Sequence, residues 1–172
     1  DGASPTLRGM KFNDINTTSV LATNLAQPTF IGGEYVAGND GRSGVTGQAV
    51  QVYGGGTPIS PMIFEGASFQ STDKGCGNRD GGRSAIWASQ TFIRIDDSEV
   101  TSGDFGFSIR NSAGKITNSS LTVNCNGIDV NSLKAVGETE YNVEIAYNTI
   151  STAEKTPITV YAGADVDIHV NV

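Results

Sequence analysis

Two alternations of apolar and polar positions run along this chain, and both recur. The first is a pair of apolar residues five positions apart around a small or polar corner: Leu7 and Phe12, Ile31 and Val36, Phe64 and Phe69, Ile95 and Val100, Ile145 and Ile150. Segment 118–123 fits the same frame with its first position, Asn118, turned polar, and Val166 with Ile168 begins a further copy. The second alternation is a short strand with two apolar residues two apart: Val20/Ala22, Val50/Val52, Ile86/Ala88, Phe107/Ile109, Ile128/Val130 and Ile158/Val160. Alternation of this kind marks a half-buried strand.

The step from one copy of the second motif to the next is 30, 36, 21, 21 and 30 residues, which implies a minimal coil of about 21 residues with insertions in some turns. A β-sandwich would show hairpin turns every ~8–12 residues instead. The pattern predicts an all-β chain folded as a right-handed, single-stranded parallel β-helix of about seven coils, three short strands to the coil. Each strand would pair with its counterpart one coil away, ~4.8 Å distant, so that inward Ile, Val and Phe form continuous columns. Corner residues such as Ser98 and Asn148 would sit where the chain turns, the asparagine adopting left-handed backbone and bonding to the next coil. One domain over residues 1–172 is expected, either a piece of a longer β-helix or a subunit completed by neighbours through uncapped ends.

Segment 142–151, Asn-Val-Glu-Ile-Ala-Tyr-Asn-Thr-Ile-Ser, resembles the V-x-I-x-x-N-x-I coil of pectate-lyase-like right-handed β-helices. That superfamily includes polysaccharide lyases, galacturonases, phage tailspikes and adhesins, so the resemblance implies architecture and a usual substrate groove on the first-strand face. It does not fix one activity.

Residues flanking the inward positions of the first strand point outward and give two rows. One holds Gln51, Trp87, Ser108, Asp129 and Thr159, and the other Tyr53, Ser89, Arg110, Asn131 and Tyr161. Aromatic rings stack on the apolar faces of pyranoses, and Asp, Asn and Arg bond directionally to hydroxyls or carboxylates. The face is therefore expected to bind a polysaccharide through Trp87, Tyr53, Tyr161, Asn131, Gln51 and Ser108, walled by insertions at 38–47, 54–61, 72–83 and 133–141.

Whether it also cleaves is left open; the chemistry would be that of a polysaccharide lyase or glycoside hydrolase. Asp129 beside Arg110 is the nearest approach to a lyase pair, and Asp129, Glu144 and Asp104 are the carboxylates a hydrolase could use. Asp96-Asp97 matches the paired aspartates of galacturonases, but the Gly-His-Gly and Arg-Ile-Lys of that family are missing, and the pair is expected in a solvated corner. No resident metal or nucleotide is expected; calcium stays open because a lyase would need it.

Composition narrows the partners. With 11 Lys and Arg against 18 Asp and Glu, the formal net charge is −7, which excludes a basic stripe for nucleic acid. No apolar run is long enough to insert in a membrane. Cys76 and Cys125 are disulfide candidates, Asn16 and Asn118 open N-x-Ser/Thr sequons, and the location expected is extracellular, on a cell or virion surface. The competing expectation is a structural surface or fibre protein, a stacking subunit or adhesin without catalysis.

Overall fold

The computed structural model describes residues 3–15, 18–23, 26–38, 48–72, 84–102, 105–131, 142–161 and 165–169. In chain order the strands are β1 (Thr6–Arg8), β2 (Lys11–Ile15), β3 (Val20–Ala22), β4 (Thr29–Ile31), β5 (Glu34–Ala37), β6 (Val50–Gly55), β7 (Met62–Glu65), β8 (Ser68–Ser71) and β9 (Ser84–Asp96). There follow β10 (Glu99–Ser102), β11 (Phe105–Arg110), β12 (Ala113–Thr117), β13 (Ser120–Val123), β14 (Ile128–Asn131), β15 (Asn142–Ala146), β16 (Thr149–Thr152), β17 (Ile158–Val160) and β18 (Asp165–His169). Among the described residues there is no helix, and so none long and apolar enough to cross a membrane.

All strand pairing is parallel among the described residues. The strands fall into three ladders. A flank ladder joins β1, β4, β7, β9, β12, β15 and β18; a rear ladder joins β2, β5, β8, β10, β13 and β16; a front ladder joins β3, β6, β9, β11, β14 and β17. The chain visits flank, rear and front in unbroken rotation. The long β9 runs through the front and flank ladders in turn, merging them into one 12-stranded sheet beside the six-stranded rear one. Parallel neighbours reached by such a rotation are consistent with a parallel β-solenoid.

The front column follows the sequence pattern residue for residue: Val20, Val50, Ile86, Phe107, Ile128 and Ile158 are successive register partners. The five-apart pairs hold with two corrections. Phe30 and Tyr35 take the inward places expected for Ile31 and Val36, and Ile116 and Leu121 take those expected for Asn118 and Val123. The corrected frame has no polar interruption. Tyr35 enters the core because its ring stacks between Phe12 and Phe69, with centroids 5.7 and 5.3 Å away, and meets the edge of Phe30 at 5.5 Å. Its hydroxyl is buried without a hydrogen-bond partner, and burial raises its pKa.

Two corners connect these faces by the same device. At the flank-to-rear corner Gly9, Gly32, Gly66, Asp97, Asn118 and Tyr147 all have φ between 47° and 61°. The left-handed place is thus one residue before Ser98 and Asn148, which corrects the expectation for Asn148. The residue after it closes the ladder instead. Ser119 Oγ donates to Thr117 O at 2.8 Å and accepts from Ser98 N at 3.2 Å, while Asn148 Oδ1 accepts from Ser119 N at 2.9 Å and its Nδ2 donates to Ile116 O at 2.7 Å. At the front-to-flank corner, after left-handed Gln90 and Asn111, Ser112 Oγ donates to Arg110 O and accepts from Thr91 N, and Thr91 Oγ1 donates to Gly55 O. Small hydroxyls thus satisfy backbone groups that the bends take out of the sheets.

Candidate functional site

The front ladder brings the two outward rows together as the alternation requires. Gln51 pairs with Trp87, Trp87 with Ser108, Ser108 with Asp129 and Asp129 with Thr159; in the second row Tyr53 pairs with Ser89, Ser89 with Arg110 and Arg110 with Asn131. Tyr161 N donates to Val130 O at 3.0 Å, which sets it one step beyond Val160 beside Asn131. Trp87 and Tyr53, diagonal neighbours on adjacent strands, lie 6.5 Å apart with ring planes 8° from parallel. Tyr53 is 44% exposed and Tyr161 47%.

Between these aromatic ends the middle of the face is buried. Ser108 is 1% exposed and Asp129 6%. Ser108 Oγ, Asp129 Oδ1 and Arg110 Nε are buried polar atoms with no hydrogen-bond partner, a costly arrangement unless something polar meets them. Desolvation raises the Asp129 pKa above the ordinary aspartate value of 3.8, and the nearby Arg110 charge only partly offsets it.

That shift has a definite sign. The native state holds the Asp129 proton more tightly than the unfolded chain, so stability falls as pH rises from the unfolded pKa through the raised folded one. Asp129→Asn is therefore expected to unfold at a higher denaturant midpoint than the parent at pH 7, with the gap closing near pH 3. A gap independent of pH, or of opposite sign, would contradict the buried carboxylate.

Glu144 is not brought to this face. It stands on the flank ladder, in register with Lys115 and paired with it at 2.5 Å. Asp96 ends the flank run of β9 and is held below the ordinary carboxylate range, first by the Thr117 hydroxyl at 2.7 Å and then by Asn118 Nδ2 at 2.8 Å, while Asp97 occupies the exposed left-handed corner. With Asp96 held and Asp97 exposed, the two sit at the solvated corner the sequence suggested. Among the described residues no three His, Cys, Asp or Glu side chains converge as metal ligands.

Asn118 is exposed, and Cys125 is fully buried and disulfide-bonded. Cys76, Asn16 and Asp104 lie outside the described residues, as do most of the expected walls, 39–47, 73–83 and 132–141. The remaining wall, 54–61, does not serve the front face alone. Its Pro58 and Pro61 line a cavity of about 500 Å³ on the flank face, together with Arg94, Lys115 and Glu144. No motif in the sequence marks Arg94 or Lys115. A signal was present, because the 21-residue step sets small Ala113 and Gly114 against Phe92 and Ile93.

Comparison of the chain with protein-family models, with curated proteins and with solved structures finds no match, so the site's own geometry carries the functional argument.

Proposed function

We propose that the chain is a right-handed parallel β-helix of the pectate-lyase-like kind, about seven coils long, which recognises a polysaccharide along its front face. The observation that carries this is the near-parallel Trp87 and Tyr53 pair beside the buried, unpartnered Ser108, Asp129 and Arg110 atoms. Stacked rings offer flat apolar ground for the C–H faces of pyranoses. Tyr53 and Tyr161, both exposed at the two ends of the face, keep their rings and hydroxyls open to a ligand rich in hydroxyls.

Asp129, with its carboxyl pKa raised, is the group that would move a proton if the bound glycan were cleaved. A single such carboxyl falls short of the pair that glycoside hydrolysis uses, so recognition is the activity proposed, without cofactor. An extracellular setting, on a cell or virion surface, accords with the bonded Cys125, for which Cys76 is the partner proposed, and with the exposed Asn118 sequon. A charge of −7 argues against nucleic acid.

The competing structural reading draws support from the rear ladder. On its last described strand, β16, the apolar Ile150 is only half-buried, a position that a second copy of the chain would cover.

Trp87→Ala tests the two. In a polysaccharide binding and depolymerisation screen, the parent should select a glycan and the variant should bind it at least about tenfold more weakly, with unchanged denaturation. A parent that binds no glycan and sediments as an end-stacked assembly would replace recognition by the structural role.

A further inference from the structure

The cavity on the flank face lies outside the front-face site and has a composition of its own. Arg94, Lys115 and Glu144 are consecutive register partners, so their side chains rise in one row from adjacent strands. Beside that row, Ala113 stands against Phe92 and Gly114 against Ile93, and these small residues leave the aromatic ring uncovered from that side. The opposite wall is fixed. Thr57 N donates to Ser60 O and Ser60 N to Thr57 O at 2.9 and 3.1 Å, a closed turn that sets Pro58 and Pro61 over the cavity and leaves Ile59 97% exposed at its tip.

Arg94 and Lys115 adjoin one another in the row, with Glu144 and then Asp167 at the next register positions. Lys115 is engaged by Glu144, but Asp96 holds Arg94 by a single long contact of 3.4 Å, because the other oxygen of Asp96 accepts from Thr117 and Asn118. A planar guanidinium so loosely held suits a carboxylate, which it can meet with two parallel N–H bonds. Phe92 and the two prolines supply an apolar wall broad enough for a ring, and about 500 Å³ falls in the ~300–1,000 Å³ range of small-ligand pockets.

We infer that this cavity binds a monocarboxylate carried on a six-membered ring, its carboxylate on Arg94 and its ring against Phe92, Pro58 and Pro61. An aromatic acid and a sugar acid share this chemistry. Glu144 acts as the competitor for Lys115, so it sets the affinity from below. The site is independent of Trp87 and of glycan recognition on the front face.

The test is a titration of the full ¹⁵N-labelled chain with benzoate and with glucuronate, benzyl alcohol and glucose serving as neutral counterparts. At least one acid should shift the Ala113, Gly114 and Lys115 amides with a dissociation constant of about 1 mM or below, and the tighter of the two names the source. Arg94→Gln should weaken that binding about tenfold. Glu144→Gln should tighten it several-fold by releasing Lys115, a gain that a merely structural carboxylate would not produce. Trp87→Ala should leave it unchanged. The inference is overturned if neither acid shifts those amides, if the neutral counterparts bind as well as the acids, or if Glu144→Gln weakens binding.

Discussion

Phe64→Ala is expected to lower the free energy of unfolding by about 3–5 kcal/mol. Phe64 has no exposed surface; its ring stacks on Phe30 at 4.7 Å with planes 6° apart and meets the edge of Phe69 at 5.8 Å. Phe69 in turn stacks on Tyr35, and Tyr35 on Phe12. The truncation therefore opens a gap where the flank and rear columns touch, and neither neighbouring coil can close it without leaving its own register. Phe64→Leu keeps most of the volume and should cost about 1.5 kcal/mol or less. Denaturant unfolding followed by Trp87 fluorescence checks both; a loss under about 1 kcal/mol for the alanine variant would mean that the aromatic column is not what holds these coils together.

Gly114→Ala is expected to destabilise by at least about 2 kcal/mol although it adds a single methyl group. Gly114 has φ +146°, and a Cβ there would fall onto the Ile93 carbonyl oxygen. That oxygen belongs to backbone, so β12 itself would have to move, and β12 is paired on both sides, to β9 and to β15. Gly66→Ala makes the comparison. Gly66 is also left-handed, at φ +61°, but opens onto free space, so only the backbone penalty of about 1 kcal/mol applies. Equal melting temperatures for the two variants would show that close approach at Gly114 does not matter.

The parallel strand order was legible because the chain repeats its inward positions, and the front column needed no correction. The slips elsewhere have a physical origin. Phe30-Ile31 and Tyr35-Val36 are adjacent apolar pairs, so five-residue spacing is satisfied in two registers, and only the aromatic partners Phe12, Phe64 and Phe69 decide between them. Leu121 and Val123 both face inward, two residues apart, so five-residue spacing fits Asn118 with Val123 as well as Ile116 with Leu121, and only the register decides. At the site, alternation told which way Ser108 and Asp129 point but not how deeply they are buried, since that depends on what lies over the face. Glu144 shares only its chemistry with Asp129, and its register puts it on another ladder. The setting of Arg94 and Lys115 depends on the small neighbours Ala113 and Gly114, which carry no motif.

Ile86, Phe107 and Ile128 succeed one another at intervals of 21 residues, and each is the register partner of the last. That interval is the length of chain that advances the front ladder by one whole step. A duplicated or deleted stretch of 21 residues would deliver each new side chain to a column that already accepts its kind, so the molecule can lengthen or shorten without inventing a core. The described insertion at 54–61 falls between β6 and β7 and leaves both in register with β9.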